Sequence, residues 1–327
     1  MLSGLLEYAS EAIAYALLAV LAVEVLLAVW QVQDPPLDIA FRLLVLAVPP
    51  VAPLLFALLE PGRGSVDFRH ATALLDLQNW LGPAPSLRHP VWAAMFAAMA
   101  ATAVLEATAF LRWLQAGRTG RPRQLSGPAG RLHEVTRRMA ARGIQLPPVR
   151  VVAQRGPVAY TVGLLRPTIL VSPALLELLD DEELEGVLAH EWAHSSRQDN
   201  WLSWLTFLLR VVSFYNPVVQ FTYHRMGHDI EKVCDAEAGR LTGRSLALAS
   251  ALIKVYTATR GTVSDRQGLM RSLSTHAISL ENRARRTLVE DRVERMVHPG
   301  TVRPTSYPGL RLVLAAAAVI GLSFFVV

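Results

Sequence analysis

Residues 187–200 read VLAHEWAHSSRQDN, which places two histidines four residues apart with a glutamate after the first. If this segment is helical, His190 and His194 lie one turn apart and project from the same face. Neutral imidazoles at that spacing can bind one Zn²⁺, and Glu191 can reach a water in an open coordination position and take its proton. Five residues with two free positions also occur by chance on polar helices. The rest of the chain must therefore supply further evidence.

The segments around the motif favour a helix packed on a small sheet. Residues 180–183 read DDEE, and Asp180 three residues before Glu183 is typical of a helix start. The predicted helix runs through DEELEGVLAHEWAHSSR. Residues 131–143 are also predicted to be helical. The short runs PPVRVVAQ, VAYTVGL and PTILVSP are rich in β-branched residues and split by Gly and Pro, which predicts a small sheet or hairpin.

A catalytic zinc site needs a third protein ligand besides the two histidines. Downstream, HRMGHDIEKVCDAEAGR offers His228, Glu231 and Asp235. Glu231 and Asp235 lie four apart and share a helix face, so one can bind metal while the other accepts the N–H of a ligand histidine. His228 is a possible ligand or helper. Cys234 is a conceivable thiolate ligand, although a small buried packing residue is the simpler interpretation.

The composition indicates a membrane protein. Hydrophobic residues make up 52% of the 327 residues and charged residues only 18%. The apolar residues cluster in four stretches, three of them long enough for the roughly 20 residues that cross a bilayer. The stretches are 12–30, 39–59, 90–114 and the shorter 312–327. We expect about four transmembrane helices; buried core helices of a large soluble protein are the alternative.

Charge and cysteine content exclude other classes of protein. The net charge of +5 is carried almost wholly by arginine, without interleaved stacking aromatics, so no nucleic-acid partner is expected. The single cysteine, Cys234, allows no intrachain disulfide. No cleavable signal peptide is evident, because the first apolar stretch has an acidic flank rather than a basic one.

Arginine in the loops predicts the orientation. Residues 115–142 carry seven arginines against one acid, whereas the loop 61–89 carries three against two. The basic segment should be cytoplasmic, which places the N-terminus and the 61–89 loop outside. Residues 115–311 are then cytoplasmic, and the C-terminus ends outside.

The stretch 200–221, NWLSWLTFLLRVVSFYNPVVQF, is long and apolar enough to cross a membrane. A single crossing would separate His190 and His194 from Glu231, so the stretch must dip in and return, lie at the interface, or pack as a core helix. Arg210 and Asn216–Pro217 favour the shallow options. Glu24 and Glu106 lie within predicted spans, and no role is assigned to them.

Taken together, GLLRPTILVSPALLELLDDEELEGVLAHEWAHSSRQDN, the following FYNP and the E-x-x-C-D motif resemble the BlaR/MecR-type membrane zinc peptidases over roughly residues 130–290. The resemblance implies that His190, His194 and Glu231 bind Zn²⁺, with Glu191 as the catalytic base and Asp235 in support. It also implies a gluzincin-like α+β peptidase domain on the cytoplasmic side, and a cytoplasmic protein substrate that can be a transcriptional repressor. The best-known members carry a penicillin-binding sensor after the last span, whereas this sequence stops at Val327.

We therefore predict a mainly α membrane protein with a three-helix region at 1–114, a zinc peptidase domain at 115–308 with a membrane-associated segment near 200–221, and a last span at 309–327. The predicted protein is a zinc endopeptidase of the bacterial plasma membrane that contacts lipid and signals by proteolysis, with a homo-oligomer possible. One alternative is an HtpX-like quality-control protease, which also pairs H-E-x-x-H with a later acidic motif. Another is a non-catalytic zinc-containing scaffold or receptor, although the intact Glu191 argues against it.

Overall fold

The structure is a computed structural model that describes residues 2–32, 34–65, 68, 93–94, 96–105, 129–154, 156–163, 166–196, 199–266, 275–298 and 306–326. The helices, in chain order, are α1 (Leu2–Val29), α2 (Pro35–Leu59), a short 3₁₀ helix (Pro61–Gly64), α3 (Phe96–Leu105), α4 (Ala129–Ala141), α5 (Pro173–Leu178), α6 (Asp181–Ser196), α7 (Asp199–Val212), α8 (Pro217–Thr242), α9 (Ser245–Arg266), α10 (Thr275–Val297) and α11 (Pro308–Phe324). The strands are β1 (Val149–Val151), β2 (Ala159–Val162) and β3 (Thr168–Val171).

The chain divides into two compact units. The first comprises residues 1–118, 204–230 and 302–327, and the second comprises 119–203 and 231–301. The predicted boundaries at 114 and 308 stay predictions, and the observed division differs in grouping 204–230 with the N-terminal helices.

The first unit is built around α1, α2 and α11. Their buried residues include Tyr15, Phe41, Phe56 and Val319, each at most 2% exposed. Two helical segments among the described residues, Glu11–Val29 and Pro35–Leu59, are long and apolar enough to cross a membrane. Helices α3 and α11 are apolar but shorter. Two of the four predicted spans therefore have full-length helices, and much of the 90–114 stretch lies outside the described residues.

A charged cluster lies inside this first unit. Arg42 is 4% exposed and forms ion pairs with Glu24 at 3.2 Å, Asp38 at 3.1 Å and Asp229 at 3.1 Å. Arg225 also pairs with Glu24, at 3.3 Å. Because a charge is costly away from water unless it is paired, the cluster gives Glu24 a structural partner that the sequence did not identify. Glu106 lies outside the described residues.

The second unit packs helices on a three-stranded sheet. The strand order is β1-β3-β2, with β1 parallel and β2 antiparallel to β3. This confirms the predicted small sheet, and α4 confirms the predicted helix near 131–143. The core contains residues from α4, the sheet, α5, α6, α9 and α10, including Met139, Ile169, Leu175, Leu188 and Ala251.

The stretch 200–221 contains two helices with a turn between them. Helix α7 ends at Val212 and α8 begins at Pro217. The chain reverses here, because Nε of Arg210 donates to Gln220 Oε1 at 2.9 Å and its guanidinium lies 4.7 Å from the ring centroid of Tyr223. The stretch is therefore not one continuous crossing helix.

Candidate metal centre

Helix α6 is fixed at its start by a reciprocal cap. Glu183 N–H donates to Asp180 Oδ1 and Asp180 N–H donates to Glu183 Oε2, both at 2.9 Å. This is a capping box, and it lies where the sequence predicted a helix start. Lys254 and Ser250 of α9 also bind the Glu183 carboxylate, at 2.6 Å each. The cap and these contacts hold the helix that carries the H-E-x-x-H motif.

Close packing sets the depth of α6 in the second unit. Leu184, Leu188, Ala189 and Ala193 are fully buried. A Cβ placed on Gly186 would lie 3.2–3.3 Å from atoms of Leu248, so glycine permits the close approach of α9. On the same helix His190 is 8% exposed, so this packing leaves the first histidine largely shielded from water.

The structure brings three metal-binding side chains together. Nε2 of His190 lies 3.2 Å from Nε2 of His194. The Glu231 carboxylate lies 3.4 Å from the first nitrogen and 3.5 Å from the second. Two nitrogens about 2.0–2.1 Å from one tetrahedral zinc ion lie about 3.3 Å apart, so the observed spacing fits such an ion. These three residues form the only group of potential metal ligands found within the described part of the chain.

The outer nitrogens of both rings have neighbours. His190 Nδ1 is 2.9 Å from Asp235 Oδ1, although the angle departs from that of a regular hydrogen bond. His194 Nδ1 is 3.4 Å from the Cys234 sulfur. An acceptor at Nδ1 keeps the proton there and leaves the Nε2 lone pair for a metal, which is the usual arrangement of ligand histidines. The donor set therefore fits zinc.

Arg292 of α10 holds the two carboxylates. Its Nε and Nη2 donate to Asp235 at 2.6 and 2.7 Å, and its Nη1 lies 3.1 Å from Glu231 Oε2. Burial raises the pKa of Asp235, but Arg292 and His190 outweigh it and lower that pKa. Burial likewise raises the pKa of Glu231, and contacts with His190 and Arg292 lower it to about 2. Both carboxylates are therefore ionised at neutral pH.

The charge of His190 is set by the same neighbours. Burial lowers its pKa, but Asp235 and Glu231 raise it from 6.5 to about 9. In the metal-free protein the ring is therefore protonated at neutral pH. A metal ion must displace that proton, so metal binding is coupled to proton release.

Glu191 follows His190 on α6 and is 9% exposed. Oγ1 of Thr161 in β2 donates to Glu191 Oε2 at 2.8 Å. Burial raises the pKa of Glu191, while His190 and Thr161 oppose that rise. A carboxylate with a raised pKa is suited to accept a proton from water at neutral pH.

A cavity of about 590 Å³ opens onto these side chains. Its polar lining residues are His190, Glu191, His194, Glu231 and Arg292. Its apolar lining residues are Leu175, Val187, Leu248, Ala251, Leu252 and Val255, most of them from α9. Residues of β2 complete the lining. The arrangement combines a metal-binding set, a buried carboxylate and space for an apolar side chain.

Sequence reasoning identified the histidines, Glu191, Glu231 and Asp235 as one site, and the structure places all five together. Their chemical roles stay predictions. His228 belongs to the first unit, and its predicted role as a helper also stays a prediction. Thr161 and Arg292 were missed, because neither stands in a motif. A polar residue on a predicted strand beside the H-E-x-x-H helix was the only signal for Thr161.

The chain has recognisable relatives. The methicillin resistance mecR1 protein of Staphylococcus aureus is 27% identical over 82 residues, which cover 25% of this chain and 14% of that protein. The regulatory protein BlaR1 of Bacillus licheniformis is 29% identical over 89 residues, covering 26% and 15%. The protease HtpX homolog of Methanopyrus kandleri is 27% identical over 209 residues, covering 51% and 65%. The chain thus spans a small part of the first two relatives and nearly two thirds of the third.

The sequence profile described as BlaR1 peptidase M56 matches residues 74–283, which is more than half of the chain and includes every residue of the metal centre except Arg292. This agrees with the resemblance carried by the H-E-x-x-H and E-x-x-C-D motifs. The chain therefore belongs to the BlaR1 peptidase M56 family.

Proposed function

We propose that this protein is a membrane-embedded zinc endopeptidase that cleaves a cytoplasmic protein. The observation that carries the proposal is the meeting of His190, His194 and Glu231 around a point that also faces the buried carboxylate of Glu191. A structural zinc site has no need of a general base, whereas a peptidase has.

The residues of the metal centre have separate roles in the proposed reaction. His190, His194 and Glu231 hold zinc, which when bound supplies a Lewis acid for the peptide carbonyl. Glu191 takes a proton from the attacking water and delivers it to the leaving amine nitrogen. Asp235, held by Arg292, orients His190, and Thr161 orients Glu191.

The cavity supports binding of an extended peptide. Strand β2 pairs with β3 on one side, and within the described residues no strand pairs with its other side. An extended segment can add to such an edge through main-chain hydrogen bonds. The apolar wall of α9 then receives an apolar side chain next to the cleaved bond.

The proposed location is the bacterial plasma membrane. The two apolar helical segments Glu11–Val29 and Pro35–Leu59 support membrane insertion. The excess of arginine in residues 115–142 supports a cytoplasmic site. Similarity to proteins named for regulation and methicillin resistance supports a signalling role. A repressor as the substrate is proposed from the family resemblance of the H-E-x-x-H and E-x-x-C-D motifs.

A second candidate function is membrane-protein quality control. It is favoured by the HtpX homolog, whose alignment covers 51% of this chain against 25% for the mecR1 protein. The two functions share the chemistry and differ in substrate range: a signalling protease cleaves one or few proteins, whereas a quality-control protease cleaves many unfolded membrane proteins.

A Glu191→Gln variant tests the proposal. It retains zinc and the fold but loses most proteolysis, since positioned acid–base groups contribute roughly 10²–10⁴-fold in rate. Glu177→Gln, at an exposed position, is the matched control and keeps full activity. Substrates trapped by the Glu191→Gln protein, identified by cross-linking and mass spectrometry, separate one regulator from many clients. If Glu191→Gln cleaves as fast as the wild type while His194→Ala is inactive, Glu191 is not the base. If Glu191→Gln shows no cleavage yet supports the same cellular response as the wild type, while His194→Ala abolishes that response, the metal is structural and the scaffold interpretation replaces the peptidase.

A further inference from the structure

In the segment 205–221 the exposed side chains are apolar, whereas most of the polar side chains are buried. The exposed side chains between these positions are all apolar: Leu205, Phe207, Leu208, Val211, Val212, Phe214 and Phe221. Five polar side chains in or next to the segment are buried, and those of Arg210 and Tyr215 are half-buried. The five are Thr206, Ser213, Asn216, Gln220 and Thr222. Water favours the reverse arrangement, because it solvates polar groups and excludes apolar ones. The surface of this segment is suited to hydrocarbon.

Side chains at the turn between α7 and α8 form hydrogen bonds with backbone groups at the two helix ends. Asn216 Oδ1 accepts from Val218 N–H at 3.0 Å and caps the start of α8. Gln220 Nε2 donates to the carbonyls of Arg210 at 3.2 Å and Ser213 at 3.3 Å, at the end of α7. In hydrocarbon no water replaces missing partners, so a helix end there needs such internal contacts. This turn has them.

The turn between α7 and α8 lies beside Ala12 of α1, well away from Glu24 on the same helix. Asn216 Nδ2 donates to the Ala12 carbonyl at 3.0 Å, whereas Arg225 pairs with Glu24 at 3.3 Å. Both helices advance in the same direction between these contacts, so the first part of α8 runs beside α1. Ala12 and Glu24 are twelve positions apart in α1, a rise of about 18 Å at roughly 1.5 Å per residue. That is more than half of the roughly 30 Å hydrocarbon thickness.

The base of the hairpin is polar. His224 and Arg225 are the first exposed polar residues of α8 after the apolar band. The pairing of Arg225 with Glu24 places them at the level of the charged cluster around Arg42. Arg210 donates a hydrogen bond from Nε to Gln220, and its guanidinium lies over the ring of Tyr223. The hairpin therefore presents a continuous apolar face that ends where charged groups begin.

We propose that residues 204–224 form a re-entrant helical hairpin whose outward face contacts lipid acyl chains, entering beside α1 from the level of Glu24 and turning at Asn216. Lipid is the occupant because α1, which the hairpin contacts at Ala12 and Glu24, also exposes apolar side chains between those two residues, including Leu17 and Leu21. The hairpin returns residue 230 to the membrane face from which residue 204 departs. One metal site built from residues before and after the hairpin requires that return.

The inference rests on the proposed membrane location and not on peptidase activity. Its test uses the full-length protein in phosphatidylcholine and phosphatidylglycerol vesicles, spin-labelled at one introduced cysteine. The labelled variants are Phe214→Cys at the turn, Leu208→Cys in α7, His224→Cys at the base and Leu21→Cys in α1. The native Cys234 is fully buried, and the unsubstituted protein corrects for its labelling.

Power-saturation EPR with oxygen and a water-soluble nickel chelate measures the depth of each label. We expect labels at Phe214 and Leu208 to be accessible to oxygen and shielded from nickel, as at Leu21, and the label at His224 to be accessible to nickel. A label at Phe214 as accessible to nickel as that at His224, with Leu21 still shielded, would overturn the hairpin alone. Nickel access at Leu21 would overturn the membrane location and the hairpin together. Shielding from both reagents at Phe214 would show that protein rather than lipid covers this face, and would also overturn the inference.

Discussion

Thr161 donates a hydrogen bond of 2.8 Å to the carboxylate of Glu191, which joins the edge strand β2 to the proposed general base. The same hydroxyl lies 3.3 Å from the Glu191 main-chain carbonyl. A buried carboxylate with one oxygen held by a donor has restricted rotamers, and Glu191 lines the cavity. Thr161 is therefore a positioning residue for Glu191 under the proposed function.

Thr161→Val keeps the shape of the side chain and removes the donor. Because a hydrogen bond to a charged group contributes about 1.5–3 kcal/mol, we expect kcat to fall about 10-fold or more with zinc content and KM unchanged. Thr161→Ser should restore most of the rate. Steady-state kinetics on a peptide substrate checks this, and a Thr161→Val protein with wild-type kcat would show that the contact is not used.

Zinc should bind at about one ion per chain through three protein ligands. Glu231→Ala and His194→Ala should each lose the metal, whereas Cys234→Ser should retain it, because the Cys234 sulfur lies beside His194 Nδ1, at 3.4 Å, and not beside the Nε2 that faces the metal. Metal analysis of the purified variants gives the answer. Retention of zinc by Glu231→Ala together with its loss from His228→Ala would identify His228 as the third ligand.

Arg292 should control metal affinity without binding the ion. Arg292→Leu leaves the buried carboxylate of Asp235 without its bidentate partner, so we expect zinc affinity to fall about 10- to 100-fold, as is typical when an outer partner of a ligand is lost. Arg295→Leu, on the same helix but exposed and paired with Asp291, is the matched control. Competition with a zinc-binding dye measures both. Equal affinities would remove Arg292 from the metal centre.

Because the pKa of His190 is raised, zinc affinity and the stability of the metal-free protein should change in opposite directions as the pH rises. The folded pKa of about 9 lies above the ordinary 6.5, so the protonated ring stabilises the metal-free fold below pH 6.5. That contribution is lost as the pH rises through 9. Zinc must displace the proton, so apparent zinc affinity should instead increase from pH 7 to 9. Calorimetry in two buffers of different ionisation enthalpy should show about one proton released from His190 at pH 7. No release would mean that the ring is already neutral.

The arginine bias predicts the topology. A reporter fused after Arg123 should be cytoplasmic, and one inserted near Asp76 should be external, because loop arginines set the orientation of membrane helices. Both positions lie outside the described residues. Alkaline phosphatase and green fluorescent protein fusions measure the two sides. The opposite result would place the metal centre outside the cell and exclude cleavage of a cytoplasmic repressor.

Much of the site follows from local sequence. The spacing of His190 and His194, the cap formed by Asp180 and Glu183, and the pairing of Glu231 with Asp235 are all patterns within a few residues on one helix. The strands were predictable because β-branched runs alternate with Gly and Pro. The reversal between α7 and α8 was required by the metal ligands on either side of it, but its position along α1 was not predictable.

The sequence by itself determined the chemical identity of the candidate metal ligands and the helices that carry them, because the 3.6-residue repeat fixes which side chains share a face. Only the tertiary structure decided that Thr161 reaches Glu191, that Arg292 holds Asp235 and Glu231, and that the polar residues of the hairpin turn inward. Those contacts join residues 30 or more positions apart or depend on how a helix face meets its neighbours. Their partners are selected by packing of the two cores, and no local periodicity encodes that packing.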